Sequence, residues 1–312
     1  MVTGLFDIQS TGCGSEEVIA MIVDTHVHVY PPEVRENWRS IALREPCFGD
    51  EVTGRVHRWA SADDVLAAME ADGVDESWIC GFAFTDLGLC RLCNDYVLEC
   101  AESSEGKLKP IIAVPPLARG ACDEIARCAE LGAIGVGELL PDGQRFRVED
   151  IDETWRFAAE CHERGLFVLL HVAEPVGRNY PGKGKSGPRE AYLFAQNHPE
   201  LCIVMAHCGG GLFLYEQMPD ARVTLQNVWY DTAAAPFVYN SSILNSVIAS
   251  GTSEKFLYGS DFPILRLPRY KKMIEESALV DKDLEGLFFV NARRLESAAE
   301  VCFDPAWTGW AE

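Results

Sequence analysis

The amino-acid sequence predicts an α/β protein built as a single (β/α)8 barrel, the TIM-barrel architecture. Three observations support this prediction. Eight apolar runs recur along the chain, helix-like segments follow most of them, and His, Asp and Glu stand at the ends of several runs. Barrels commonly occupy about 250 residues as one domain, so a chain of 312 residues accommodates one barrel with short extensions.

The eight apolar runs are rich in Val, Ile, Leu and Phe and show little alternation of apolar with polar residues. This pattern is typical of strands that are buried on both faces, as in a parallel sheet. The predicted strands are residues 22–29, 77–84, 110–116, 133–140, 166–172, 202–208, 223–232 and 255–263.

Segments with helical spacing of apolar residues separate the strands. Residues 62–73 carry acidic residues in the first turn and end in glycine, which are common signals of helix boundaries. A strand and a helix that alternate in this way predict a closed barrel. The other predicted helices are residues 94–104, 121–132, 152–165, 188–199, 244–254 and 281–298, of which the last should pack beside the barrel.

The two ends of the chain lie outside the repeating pattern. Residues 1–20 contain acidic residues but neither a basic segment nor an apolar core, so they do not resemble a signal peptide. We expect an accessory N-terminal extension over 1–20, and one domain over 21–312 that includes a C-terminal helix and tail. No apolar run reaches the roughly 18 residues of a transmembrane helix, so we expect a cytoplasmic protein.

The charge of the chain limits its partners. There are 27 basic and 48 acidic residues, which gives a net charge of −21. Nucleic acids and anionic membranes bind to basic surfaces, so neither is an expected partner. A small-molecule substrate is the expected partner, and a homodimer is left open because barrels of this type often pair.

Two long connections follow predicted strands, residues 30–60 and 173–187. Loops at the carboxyl ends of barrel strands form the active site, so both are candidate lids or substrate walls. The second connection is basic in an acidic chain, which suggests that it neutralises a carboxylate or phosphate of the substrate; a solvated flexible loop is the alternative. The candidate substrate-binding residues are Arg178, Tyr180, Lys183, Lys185 and, after the eighth strand, Arg266.

Side chains that bind metals stand at the carboxyl ends of five predicted strands. His26 and His28 are two residues apart, so their side chains point to the same side of the first strand. All strand ends of a barrel meet at one face, and imidazoles with carboxylates suit a divalent ion. Zinc is the expected metal, with manganese, iron, cobalt or nickel as alternatives. The remaining candidate ligands are Glu138, His171, His207 and Asp261.

Several short motifs resemble the amidohydrolase superfamily, in particular its amidohydrolase-2 branch, which is related to aminocarboxymuconate-semialdehyde decarboxylase. The resemblance covers most of residues 21–297 and implies a single-domain (β/α)8 barrel. It implies that His26, His28, His171 and Asp261 bind the metal and that His207 is an adjacent catalytic or ligand histidine. The motifs are DTHVHVYPPEV, LLHVAEPVG, MAHCGGG, NVWYDTAA, LYGSDFP and NARRL.

Glu138, in the string GVGEL, departs from the decarboxylase-like members, which do not require a carboxylate at the fourth strand. The string resembles the GE motif of TatD-type hydrolases, in which the glutamate bridges two metals. If Glu138 bridges, His171 and His207 hold a second ion, and the chain binds two ions rather than one. Otherwise Glu138 orients a histidine through a hydrogen bond.

The predicted reaction is hydrolysis. A metal lowers the pKa of a bound water, Asp261 accepts a proton from it, and His207 polarises the substrate carbonyl. The expected substrate is a small anionic molecule with an amide, lactone or ester bond. A non-oxidative decarboxylase of a small carboxylic acid is the first alternative, because it uses the same ligands. A barrel that binds a ligand without catalysis is the second.

Overall fold

The computed structural model describes residues 21–301, so the predicted extension over 1–20 and the tail beyond residue 301 lie outside the described residues. Eight parallel strands pair in chain order, which confirms the predicted fold class. The first and eighth strands meet through the backbone, because Thr25 N donates to Tyr258 O and His28 N donates to Phe262 O. The strands are β1 (Val23–His28), β2 (Glu76–Cys80), β3 (Leu108–Ile112), β4 (Gly135–Leu139), β5 (Phe167–Leu170), β6 (Ile203–Met205), β7 (Val228–Asp231) and β8 (Phe256–Leu257).

Helices connect the strands and surround the barrel. Two short 3-10 segments, Leu212–Gln217 and Ser253–Lys255, and a π-helical turn, Gly286–Val290, complete the connections. The helices are α1 (Pro32–Ala42), α2 (Pro46–Val52), α3 (Ala62–Asp72), α4 (Leu87–Ser103), α5 (Ala121–Glu130), α6 (Pro141–Gln144), α7 (Ile151–Glu163), α8 (Pro188–Asn197), α9 (Ala206–Gly209), α10 (Pro219–Thr224), α11 (Ala235–Val238), α12 (Ser242–Ser250), α13 (Leu267–Glu275), α14 (Asp281–Glu285) and α15 (Asn291–Val301). In the residues described, no helix combines the length and the apolar composition that crossing a bilayer requires.

Local signals explain the boundaries that the sequence located well. At the start of α3 the Ser61 hydroxyl accepts a hydrogen bond from Asp64 N, and the Asp64 carboxylate accepts one from Ser61 N. This reciprocal pair satisfies backbone donors that the first helical turn leaves free. Gly73 ends α3 in a left-handed conformation with φ of 75°, which glycine adopts at little cost.

Several sequence-based boundaries were wrong, and two of them have a clear local cause. The strand predicted over 223–232 begins only at Val228, because Pro219 starts a short helix that extends to Thr224. A proline fixes φ at a helical value in the first turn and favours such a start. The connection between 30 and 60, predicted as a long loop, contains α1 and α2, and each of them also begins at a proline.

The barrel interior is closed at its N-terminal end by α15. Leu295 of this helix packs in one apolar cluster with Trp78 and Phe167, which point inward from β2 and β5. Arg293 donates two hydrogen bonds, of 2.9 and 2.7 Å, to the buried carboxylate of Glu76 at the start of β2. The C-terminal helix therefore covers the base of the barrel, and only the opposite end remains for a site.

At that opposite end the two long connections contact each other. A methyl group added to Gly182 would lie 3.5 Å from Glu51 Oε2, and one added to Gly54 would lie 3.6 Å from Pro181. Residues 46–54 and 180–184 therefore stand side by side over the carboxyl ends of the strands. Such loops are the usual walls of a barrel active site.

A buried carboxylate joins two of the surrounding helices. Glu124 of α5 is 1% exposed and accepts hydrogen bonds from Arg127 at 2.7 and 2.9 Å and from Asn94 of α4 at 3.0 Å. Asn94 also donates to Ala113 O and accepts from Ala113 N, just beyond β3. Burial opposes ionisation of Glu124, but these donors outweigh it and lower its pKa to about 2.

We expect Glu124→Gln to lower the free energy of unfolding by about 2 kcal/mol at pH 7, because it removes charge-assisted hydrogen bonds in a buried site. The folded pKa lies below the ordinary value of 4.5, so the contribution is fully present above about pH 5. It should decrease as the pH falls from 4.5 towards 2. Urea titrations of both proteins at several pH values measure this difference.

The matched control is Glu130→Gln in the same helix, where the carboxylate is 74% exposed and 3.6 Å from Arg164. An exposed ion pair contributes little, so this variant should unfold like the wild type. Equal stability of the two variants would contradict the role assigned to Glu124.

Candidate metal centre

Six metal-binding side chains meet at the carboxyl end of the barrel. Each stands on a strand or within four residues of the end of one, so the parallel sheet brings together residues that are far apart in the chain. All are at least nine-tenths buried except His28, whose side chain is 13% exposed. The residues are His26 and His28 of β1, Glu138 of β4, and His171, His207 and Asp261, which follow β5, β6 and β8.

The first group of ligand atoms comes from β1 and the end of β8. His26 Nε2 lies 3.0 Å from His28 Nε2, and Asp261 Oδ1 lies 3.4 Å from His28 Nε2. Glu138 Oε2 lies 3.5 Å from His26 Nε2 and 3.6 Å from His28 Nε2. Ligands about 2.0–2.2 Å from a tetrahedral ion stand roughly 3.3–3.6 Å apart. Three of these four distances match that spacing, and the 3.0 Å between the two histidine nitrogens is shorter.

The second group lies on the other side of Glu138. Its Oε1 atom is 2.8 Å from His171 Nδ1 and 3.1 Å from His207 Nε2, and these two nitrogens are 3.1 Å apart. His26, His28 and Asp261 form one potential metal-binding group, and Glu138, His171 and His207 form another. The Glu138 carboxylate therefore presents one oxygen to each group.

Each histidine has an inner ring nitrogen, which faces the other ligands, and an outer ring nitrogen, which faces away from them. The partner of the outer nitrogen tests whether the histidine can bind a metal. Three of these nitrogens face oxygens: His26 Nδ1 is 2.8 Å from Asp231, His171 Nε2 is 2.9 Å from Lys183 O, and His207 Nδ1 is 3.0 Å from Ala233 O. An oxygen that only accepts fixes the proton on the outer nitrogen, which leaves the inner nitrogen free to bind a metal.

His28 has a different outer partner. Its Nδ1 lies 3.4 Å from the sulfur of Cys80, which is fully buried at the end of β2, and the same sulfur lies 3.5 Å from Val27 O. When His28 Nε2 carries the lone pair, Nδ1 donates its hydrogen to the sulfur. All four inner nitrogens can thus act as ligands at once, so this donor set fits divalent metal ions.

The electrostatic field of the centre also favours positive charge. Burial would raise the pKa of Glu138, but the facing histidines outweigh it and hold that pKa well below its ordinary range. Burial disfavours the charged form of His207, yet the hydrogen bond and charge of Glu138 raise its pKa to about 9. For His26, the carboxylates of Asp231 and Glu138 likewise outweigh burial and raise the pKa well above its usual value. A centre that stabilises protonated rings also stabilises a cation.

Unusual backbone conformations place several of these side chains. His207 and Asp261 have φ of 58° and 61°, a left-handed conformation that residues other than glycine rarely adopt. Such conformations are common at functional sites, where surrounding structure enforces them. Gly137 precedes Glu138 with φ of 154°, and a side chain there would lie 2.2 Å from Leu169 O of β5. Only glycine therefore allows β4 to approach β5 closely at Glu138.

The six candidate ligands predicted from the sequence thus lie together, but His171 adjoins Glu138 and His207 rather than the group of His26. Asp231 and Cys80 are site residues that the sequence analysis did not assign. Asp231 lies in a motif that was noted, NVWYDTAA, and its position at a strand end was the available signal. A buried cysteine after an apolar run gives no such signal, because most buried cysteines only pack.

The predicted substrate-binding residues of the loop after β5 differ from one another in burial and in hydrogen-bond partners. Lys183 is buried, but its ammonium binds the carbonyls of Val176 and Arg178 within its own loop. Arg178 and Lys185 are exposed, and the Tyr180 hydroxyl donates to a buried carboxylate.

Arg266 was expected to help bind the substrate, but its guanidinium donates two hydrogen bonds to Asp72 at the end of α3. It also lies near Ala68 O of the same helix. Its charge is thus matched there, and among the described contacts none joins it to the six ligands. This placement argues against the predicted role for Arg266.

A metal-binding centre at the carboxyl end of a (β/α)8 barrel defines a class of enzymes, and the sequence agrees with that class. The chain belongs to the amidohydrolase-2 family, because the model of that family, described as amidohydrolase, matches residues 23–295. No curated protein matches the chain. The family indicates an enzyme.

Solved structures with the same fold include enzymes of two kinds. The 5-carboxyvanillate decarboxylase of Sphingomonas paucimobilis has a TM-score of 0.69 and 16% identity, over 89% of this chain and 99% of that one. A dihydroxybenzoic acid decarboxylase of Polaromonas sp. JS666, with bound manganese and the inhibitor 2-nitroresorcinol, has a TM-score of 0.67 and 15% identity over 89% and 97%. A probable 2-pyrone-4,6-dicarboxylic acid hydrolase of Acinetobacter baumannii, with bound citric acid, has a TM-score of 0.58 and 13% identity over 88% and 99%.

We expect Cys80→Ala to weaken metal binding about 10- to 100-fold, because His28 loses the partner that orients its ring. Cys80→Ser should restore part of the affinity, since the hydroxyl can accept from His28 Nδ1. The measurement is competition for zinc against a chelator of known affinity. Cys161→Ala is the control, because it truncates an equally buried cysteine in α7. An equal loss of affinity in the Cys80 and Cys161 variants would show that packing, and not the contact with His28, matters.

Proposed function

We propose that the chain is a metal-dependent hydrolase that cleaves an amide, lactone or ester bond of a small anionic molecule. The observation that carries this proposal is the position of Glu138, whose two carboxylate oxygens face two separate groups of ligands. A carboxylate placed in this way suits two ions, and paired ions favour attack by water.

We propose zinc as the metal, because four imidazoles and two carboxylates suit it, with manganese, iron, cobalt or nickel as alternatives. His26, His28 and Asp261 would hold one ion, His171 and His207 a second, and Glu138 both. The metal supplies Lewis acidity and makes a water acidic enough to react near neutral pH. The domain that carries this function is proposed to span residues 21–312.

The chain itself supplies groups for proton transfer and orientation. Asp261 lies 3.4 Å from His28, and its carboxylate is proposed to accept a proton from the attacking water. Asp231 holds His26 through Nδ1 and also accepts from His207 N, so it keeps both rings in place. If one ion is bound, His207 is free to polarise the substrate carbonyl, because its protonated ring donates from Nε2 while Nδ1 donates to Ala233 O.

A non-oxidative decarboxylase is the second candidate. The two decarboxylases named above share this fold, which favours the candidate without deciding the reaction. In this reaction the bond between the ring or chain carbon and the carboxyl carbon breaks, CO2 leaves, and the carbon takes up a proton. Asp261 is proposed to accept this proton from water and pass it to the carbon, and Glu138 then orients His171 and His207.

The number of bound metal ions distinguishes a two-ion site bridged by Glu138 from a one-ion site in which Glu138 only orients histidines. We expect about two ions per chain in protein that is purified without chelators and reconstituted with zinc, and fewer than two in Glu138→Gln. Elemental analysis per chain measures this number. The control is Glu102→Gln, which removes the same charge from an exposed position in α4. One ion per chain in both wild type and Glu138→Gln would contradict the bridging role.

The reaction is tested with a panel of small lactones, amides and aromatic carboxylic acids. Hydrolysis in water enriched in oxygen-18 should place the label in the acid product. Decarboxylation in heavy water should instead release CO2 and leave deuterium on carbon. Mass spectrometry of the organic products separates the outcomes. Release of CO2 with no solvent oxygen in the organic product would overturn the hydrolase proposal.

A further inference from the structure

The first strand of the barrel is irregular beside the metal centre. Its pairing with β2 shifts register between Asp24 and Val27, as at a β-bulge. In a regular strand Asp24 and His26 would point to the same side, because side chains alternate. In the structure His26 faces the other ligands, whereas Asp24 lines a cavity together with Val27 and residues of α3, outside the barrel. The irregularity therefore turns Asp24 away from the ligands, as bulges near active sites commonly do.

The redirected carboxylate binds backbone amides next to two ligands. Asp24 is 5% exposed, and its Oδ1 atom accepts a hydrogen bond of 2.8 Å from the amide of Ser260. The same oxygen accepts a longer hydrogen bond of 3.4 Å from the amide of His26. Ser260 directly precedes Asp261. One oxygen therefore joins the backbone of a β1 ligand to the segment that carries the ligand after β8.

Side chains, more than the sheet, hold the segment that carries Asp261. β8 is regular over only two residues. Beyond it, the amides of Gly259, Ser260 and Phe262 donate to side chains and not to a neighbouring strand. Asp261 then has φ of 61°, a conformation that persists only where the surrounding structure enforces it. The hydrogen bond from Ser260 to Asp24 is one of the contacts that enforce it.

We propose that Asp24 is a positioning residue of the metal centre, which fixes the spacing between the metal-binding atoms of His26 and Asp261 through its hydrogen bonds to the backbone. The position of the acceptor oxygen carries this role, and not the charge, because the oxygen of a neutral amide accepts the same backbone hydrogen bonds. Asp24 itself is neither a ligand nor a catalytic residue. The inference rests on the proposed function only in taking His26 and Asp261 as metal ligands.

Two variants of opposite design test the proposal on the full chain. Asp24→Asn keeps an acceptor at the same point and removes the charge, whereas Asp24→Glu keeps the charge and moves the carboxylate by one methylene. A cavity of about 20 Å³ beside Asp24 gives room for that methylene, so Asp24→Glu is expected to fold. Asp24→Ser, whose side chain is shorter, replaces it if it does not. Glu124→Gln is the control, because it weakens a buried carboxylate that joins α4 and α5.

The first readouts are cobalt affinity and the visible spectrum of the cobalt-loaded protein, which depends on the arrangement of the ligands. We expect Asp24→Glu to weaken binding about tenfold or more and to change the spectrum, as loss of an orienting contact commonly does. Asp24→Asn should bind within about threefold of wild type with an unchanged spectrum, since its acceptor is retained. Glu124→Gln should lose stability but keep affinity and spectrum. Wild-type affinity and spectrum in Asp24→Glu, or equal losses in both Asp24 variants, would overturn the proposal.

Hydrogen exchange of the metal-free chain gives a readout that needs neither metal nor turnover. The amides of Ser260 and Asp261 donate to Asp24 Oδ1 and to His26 O. Both amides should exchange faster in Asp24→Glu than in wild type or Asp24→Asn, because the segment opens more easily. Mass spectrometry of peptides that cover residues 258–264 measures the rates, and unchanged exchange in Asp24→Glu would contradict the proposed role.

These outcomes separate the role of Asp24 from the proposed function. If the wild type binds metal but hydrolyses no compound of the panel, the hydrolase proposal fails, and affinity and exchange still decide the role of Asp24. If the wild type binds no metal, the proposed function fails, and the exchange rates alone show whether Asp24 holds the segment of Asp261. If hydrolysis is observed and Asp24→Glu behaves like the wild type, only the positioning role is wrong.

Discussion

The carboxylate of Glu138 is shared between two sets of ligands, and the other features of the centre depend on this sharing. One oxygen lies 3.5 Å from His26 and the other lies 2.8 Å from His171. Without the carboxylate, four imidazoles would meet in a buried space, and Asp261 would be the remaining acid that the described contacts place at an inner nitrogen. Gly137 makes this position available, because only a residue without a side chain allows β4 to approach Leu169 so closely.

A second layer of contacts fixes the direction of each ring. Asp231 reaches both His26 and the backbone of His207, so one carboxylate at the end of β7 aligns ligands from two other strands. Cys80 performs the same task for His28 with a sulfur atom. These contacts determine which nitrogen of each histidine faces inward, which is a requirement for metal binding. The N-terminal end of the barrel is apolar and covered by α15, so the polar ligands lie together at the opposite end.

The loop after β5 supports this centre through its backbone. Its carbonyl at Lys183 orients His171, and its carboxylate at Glu174 accepts a hydrogen bond from the Tyr180 hydroxyl. The positive charges of the loop serve its own folding or face solvent. A metal at the centre would attract the anionic part of a substrate.

The sequence by itself determined the barrel and most of the centre. Apolar runs of strand length specify buried parallel strands, and the ends of such strands must converge, so His26, His28 and Asp261 could be placed together without coordinates. Other features depended on tertiary structure. The roles of Cys80 and Asp231 arise from contacts with residues 52 and 205 positions away, and the division of the ligands into two groups depends on distances of 2.8 to 3.6 Å between ligand atoms. Likewise, the charge of Lys183 and Arg266 was evident from the sequence, but the direction of a long side chain is set by whichever acceptor the fold places nearest.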